Sequence, residues 1–235
     1  MNKTPRPPFD SCLTTREIVG GIVLIPFFGL GLPLLVTVAA VYFSWITPGT
    51  AMVLTNGISF LLVLLIFFRW LREQYDIMCD RMGTVIWNII GGMAMIYLLS
   101  FVVSYLIAWL GSTDVAAANI NSGAVTVLAG QDLRYTKAMS IFIVPVVEET
   151  LFRGVVYGGL WKRSRTLAAA VSILLFILYH IWSYLAAGVP DTWIYGLQYL
   201  PIAVALCIAY ERSGSIWTCI FIHMINSALT YSLAV

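Results

Sequence analysis

Ile18-Val-Gly-Gly-Ile-Val-Leu-Ile-Pro26-Phe-Phe-Gly-Leu-Gly-Leu-Pro33-Leu-Leu-Val-Thr-Val-Ala-Ala-Val-Tyr-Phe-Ser-Trp45-Ile46 runs without one charged side chain. A helix needs about 20 predominantly apolar residues to cross a bilayer core of roughly 30 Å, and this stretch is long enough. Pro26 and Pro33 lie inside it. Each removes a backbone donor and favours a kink, so a division into an interfacial and a spanning piece is expected. The preceding residues 1–17 are polar, and the apolar stretch after them lacks the short core and small-residue cleavage site of a secretory signal. They read as a short cytoplasmic N-terminal segment.

Comparable stretches recur at about Ala51–Phe68, Val85–Leu110, Ala138–Trp161, Thr166–Val189, Thr192–Tyr210 and Ser213–Val235. The expected fold class is all-α: a polytopic transmembrane helical bundle of about seven spans, with six to eight as the range, in one transmembrane domain over residues 18–235. Composition points the same way. Hydrophobic residues make up 60% and charged residues 10% of the 235, against about 45–50% and 25% in soluble domains. A water-soluble fold of this size leaves too much surface exposed to hide so much apolar sequence. A net charge of +2, with no basic run longer than the cluster Lys162, Arg163 and Arg165, sets nucleic acid aside as a partner. Cys12, Cys79, Cys207 and Cys219 share no CxxC spacing and read as free thiols rather than a disulfide framework or a thiolate zinc site.

Placing the N-terminus inside and reversing sides at each span puts Lys3, Arg6, Arg16, Arg69, Arg72, Arg81, Lys162, Arg163, Arg165 and Arg212 on the cytoplasmic side. Arg134 and Lys137 fall outside and Arg153 within a span. That bias predicts an integral protein of the cytoplasmic membrane with its C-terminus on the far side. Trp45, Trp70, Trp87, Trp109, Trp161, Trp193 and Trp217 lie within a few residues of the proposed helix ends, where an amphipathic ring prefers to sit. The long connection Gly111–Thr136 reads as a loop or a re-entrant segment. No internal repeat of the kind found in inverted-repeat transporters is evident.

A charge near the bilayer centre costs roughly 2.5–3.5 kcal/mol on insertion scales, so an ionisable residue there is a functional candidate by default. Here they cluster. The fourth span reads Pro145-Val-Val-Glu148-Glu149-Thr-Leu-Phe-Arg153-Gly154, and the chain's two histidines, His180 and His223, lie in the fifth and seventh spans, the latter followed by Asn226 and Ser227. Glu149 and Arg153 are four apart, acid first, the favourable order for an ion pair along a helix. Glu148 is turned about 100° away and is left free for chemistry, with the histidines as partners; held away from water, its carboxylate is suited to act as a general base. A lone histidine in an apolar helix is more often a packing residue. Glu, Glu, Arg, two His and an Asn on adjacent spans are harder to explain as helix glue, which Ser and Thr supply at lower cost. Gly154 and Gly158 form a small-xxx-small face suited to close packing, and Gly91 and Gly92 are read the same way.

The set Glu148-Glu149-xxx-Arg153, Phe176-xxx-His180 and His223 with Asn226 and Ser227 resembles the CAAX protease and bacteriocin-processing family, CPBP or Abi, over roughly Ala138 to Val235. The resemblance implies an intramembrane endopeptidase of glutamate type in an all-helical bundle, acting on a membrane-associated or lipid-modified protein or peptide, with its catalytic helices in residues 138–235. Carried over, Glu148 would activate water, His180 would help to hold it, and His223 with the following polar residue would stabilise the oxyanion. The family's Asn often stands four residues after the His, where this chain has Ser227, whereas Asn226 is three after. Both share a face with His223, and Asn226 is the expected donor. Glu149, Arg153, Phe176 and Ser227 are expected in support.

Three other readings stay open. Glu148, His180 and His223 have the ligand types of a catalytic zinc site, although HExxH is absent and the principal reading needs no cofactor. The chain could be an inactive immunity or scaffold protein of the same family, since resemblance does not fix function. It could also be a proton-coupled transporter relaying through Glu148 and His180. For any of these, the site would lie about 15–20 Å from either surface at 1.5 Å per residue, so a substrate must arrive laterally or through a water-filled cavity.

Overall fold

The structure is a computed structural model that describes residues 9, 11–110, 135 and 137–233, and every regular element among them is helical. Thr14 opens α1 (Thr15–Pro26) with a reciprocal cap: its hydroxyl accepts from the Glu17 backbone N–H at 3.3 Å, and the Glu17 carboxylate accepts from the Thr14 N–H at 2.8 Å. The prolines do not divide this first rod. A π-helical turn, Phe27–Gly31, carries it into α2 (Leu32–Tyr42). Pro26 and Pro33 sit on either side of a turn whose wider hydrogen bonding already departs from the α-helical ladder, and π turns are a common way of absorbing such a defect.

Thr47 caps α3 (Pro48–Asp80), which runs well beyond its expected end at Phe68. The extension has a packing cause. Trp70, Leu71, Gln74 and Met78 continue the buried stripe of Val63 and Phe67, and the Gln74 carboxamide oxygen accepts from the Ile216 N–H at 2.9 Å while Trp217 Nε1 donates to the Leu71 carbonyl at 2.9 Å. Helix α3 therefore clamps the start of the last helix. After Arg81 comes α4 (Met82–Trp109). The expected connection Gly111–Thr136, with Arg134 in it, lies outside the described residues apart from Tyr135.

The next rod runs continuously through a π segment (Met139–Ile143), α5 (Val144–Glu149), a second π segment (Thr150–Gly158) and α6 (Gly159–Trp161). There follow α7 (Arg165–Ala186), α8 (Thr192–Leu197), α9 (Leu200–Ser213) and α10 (Ile216–Leu233). Among the described residues, five helical stretches are long and apolar enough to cross a membrane: Thr15–Tyr42, Pro48–Asp80, Met82–Trp109, Arg165–Ala186 and Thr192–Ser213. The chain is an integral membrane protein built as a helical bundle. The remaining two rods, Met139–Trp161 and Ile216–Leu233, hold Glu148, Glu149, Arg153, His223, Asn226 and Ser227.

The rod Met139–Trp161 tolerates its charges because it is the centre of the bundle. Every residue from Pro145 to Gly158 is buried, whereas Val41, Leu65 and Trp109 on outer helices are largely exposed. A helix buried all round presents no side to lipid. Close approach is part of this: a Cβ on Gly154 would stand 2.7 Å from the end of the Trp70 ring, and one on Gly158 2.5 Å from Ser11 Cβ. That matches the small-residue face expected from sequence. Gly92 likewise faces Ile222, at 2.7 Å, but Gly91 meets nothing within 4 Å and is not a packing glycine; a helix turns about 100° per residue, so adjacent positions cannot share one contact face.

The N-terminal segment is also more than a polar leader. Trp70 Nε1 donates to the Ser11 carbonyl at 2.6 Å, Ser11 Oγ donates to the Gly158 carbonyl at 3.3 Å, and Phe9 packs against Tyr157, Trp161 and Tyr210. All four cysteines are free of disulfides. Because Trp70 is held by that hydrogen bond, Gly154→Ala is expected to overpack the core and cost about 1–3 kcal/mol, read as a lower unfolding midpoint in detergent, while Gly91→Ala leaves the midpoint unchanged.

Candidate active site

Glu148 and Glu149 stand side by side at the end of α5, both buried. Arg153 is wholly buried one turn on, and its Nη1 donates to Glu149 Oε1 at 3.0 Å. This is the ion pair that the spacing predicts. Two further contacts hold the guanidinium: Nη2 donates to the Ala203 carbonyl of α9 at 3.5 Å, and the group lies 4.1 Å over the Phe176 ring of α7. The ring face supplies negative potential to a desolvated cation, which gives Phe176 a physical task.

Glu149 has a second partner that sequence spacing does not reveal. His223 Nδ1, arriving on α10, lies 2.7 Å from the same Oε1 atom. A carboxylate paired with arginine is ionised and only accepts, so Nδ1 is the donor and His223 Nε2 is turned the other way, 3.8 Å from Glu148 Oε2. His180 is fixed by different means. Its Nδ1 faces the Phe176 carbonyl at 2.9 Å, and a carbonyl can only accept, so Nδ1 carries the hydrogen there too. Its Nε2 lies 3.8 Å from Glu148 Oε2. That oxygen is buried and has no hydrogen-bonding partner among the described residues.

The three side chains open on a cavity of about 420 Å³ that also takes in Asn226 and Ser227. Both candidate oxyanion donors thus reach the same space. Several lining residues carried no signal in the motif reading. Tyr179, next to His180, Tyr199, between α8 and α9, and Asn56 of α3, from the first half of the chain, line the cavity. Asn56 had a legible signal, a carboxamide within an apolar span. Glu148, His180 and His223 are the metal-ligating side-chain types at this cavity, and among the described residues no three His, Cys, Asp or Glu side chains are grouped so as to hold an ion.

Residues 132–229 match the family model described as type II CAAX prenyl endopeptidase Rce1-like. This part of the chain is similar to Rce1-like CAAX endopeptidase domains. It agrees with the family resemblance read from the motifs, and it contains every motif residue from Glu148 to Ser227. No curated protein and no solved structure matches the chain. The matched residues do not form the whole cavity, since Phe28, Met52 and Asn56 lie outside them and line it as well.

Removing Arg153 strands Glu149 as a buried charge with a single remaining partner. Arg153→Ala is therefore expected to cost about 3–5 kcal/mol, seen as low yield and a depressed unfolding midpoint. A variant as stable as the wild type would refute the pairing.

Proposed function

We propose that the chain is an intramembrane endopeptidase of glutamate type in which Glu148 and His180 activate water and His223 with Asn226 stabilises the oxyanion. The observation that carries this reading is the unpartnered Glu148 Oε2, 3.8 Å from the Nε2 atoms of both histidines. A water between the carboxylate and His180 would donate one hydrogen to Glu148 and one to the His180 Nε2 lone pair. As its oxygen bonds to the scissile carbonyl carbon, Glu148 takes the proton. The C–N bond then breaks, and the same proton passes from Glu148 to the leaving amine.

The different partners of the two histidines support the division of roles. His180 leans on a neutral carbonyl, which leaves Nε2 as an acceptor for water. His223 is held at Nδ1 by the Glu149 carboxylate, which turns Nε2 toward the cavity; with a hydrogen on each ring nitrogen it would donate from Nε2 to the developing oxyanion. The substrate is a peptide bond in a membrane-associated or lipid-modified protein, reached from the bilayer or through the cavity, and the reaction needs no metal. The Lys and Arg bias supports a cytoplasmic N-terminus and a C-terminus on the opposite side.

Membranes from cells carrying the wild-type chain, Glu148→Ala or no copy would be compared for protein termini by mass spectrometry. Peptide ends found with the wild type alone are expected. Rescue of a deletion phenotype by Glu148→Ala, with no terminus changed, would instead mark a scaffold. Asn226→Ala is expected to lose roughly a hundred- to a thousand-fold in rate and Ser227→Ala to stay near wild type; the reverse order would move the oxyanion donor to Ser227. Cleavage by purified protein is expected to survive chelation, and loss restored by zinc would make Glu148, His180 and His223 metal ligands.

A further inference from the structure

Tyr199 lines the cavity from a local break in the sixth rod. Helix α8 ends at Leu197, the Tyr199 N–H donates to the Gly196 carbonyl at 3.1 Å, and α9 restarts at Leu200 with Pro201 in its first turn. Gly196 lets this break sit tightly on α7: a Cβ there would stand 3.0 Å from Ile181 Cδ1 and 3.1 Å from Ile177 Cγ2. Three residues later the Tyr199 ring lies over the His180 imidazole, with centroids 4.4 Å apart and planes inclined by 32°. Phe176, also 4.4 Å away, and Tyr179, edge-on at 5.1 Å, complete the enclosure of His180.

Ring packing accounts for the aromatic side chain but not for the hydroxyl. The Tyr199 oxygen is buried and has no hydrogen-bonding partner among the described residues. An unpartnered buried hydroxyl opposes folding, and such groups call for an explanation. Phenylalanine would pack on His180 equally well without that penalty. Among the residues lining the cavity, the atoms in this condition are Tyr199 Oη and Glu148 Oε2. A peptide drawn into a membrane-embedded cavity brings backbone groups that have lost their own partners.

We propose that Tyr199 is a substrate-anchoring residue, whose hydroxyl donates a hydrogen bond to a backbone carbonyl of the peptide bound in the cavity while its ring holds His180 in place. This rests on the cavity being a peptide site, as the protease reading requires. The chemistry recognised is the peptide carbonyl itself, so the contact serves peptides of differing side chains.

Tyr199→Phe keeps the ring and deletes the hydroxyl. The probe is an internally quenched farnesylated peptide ending in a CAAX sequence, with cleavage followed in wild-type background and binding by fluorescence anisotropy in a Glu148→Gln background. The variant is expected to unfold at the same or a higher temperature than wild type, to bind the probe more weakly, and to raise KM roughly five- to tenfold, the loss of about one neutral hydrogen bond, with kcat nearly unchanged. A lowered unfolding midpoint would show that the hydroxyl serves the fold, and would overturn the proposal. Unchanged binding and KM would overturn it as well, leaving the protease reading intact, and so would a probe that fails to bind at all. Binding that depends on the hydroxyl, without cleavage by any variant, would keep the anchor and sink the protease.

Discussion

A single oxygen atom, Glu149 Oε1, accepts from Arg153 at 3.0 Å and from His223 at 2.7 Å, with both the acid and the arginine wholly buried. Charges taken out of water are tolerable only when paired and otherwise hydrogen-bonded. The partners come from different places: Arg153 from the same rod, His223 from α10, the Ala203 carbonyl from α9 and the Phe176 ring from α7. Satisfying this one cluster obliges three helices to surround the rod, and it explains why Pro145 to Gly158 has no exposed side.

The same cluster orients the chemistry. Glu149 takes one edge of His223 and so turns Nε2 toward Glu148, while the Phe176 carbonyl does the same for His180. Two adjacent glutamates thereby differ in kind. Glu149 is tied through one oxygen to Arg153 and His223, whereas Glu148 lines the cavity and turns an oxygen toward two imidazoles. Such a difference of environment between neighbouring carboxylates is a mark of a candidate functional site.

The first half of the chain serves as more than a membrane collar. Helix α3 grips the start of α10 through Gln74 and Leu71, and the N-terminal segment is tied to the rod through Ser11 and Trp70. Phe28, Met52 and Asn56 close walls of the cavity that the matched domain leaves open.

Much of this was legible in the amino-acid sequence, and the limit is physical. Apolar runs of membrane-spanning length predicted an all-helical bundle and most helix boundaries, because the bilayer sets the length of a span. The pairing of Glu149 with Arg153 followed from four-residue spacing, which fixes neighbours along one helix. Spacing says nothing about the rotation and register of one helix against another. Tertiary packing alone decided that His223 shares Glu149 with Arg153, that Tyr199 lies on His180, that Asn56 reaches the cavity and that α3 runs on to Asp80, for each of these depends on which faces of separate helices meet.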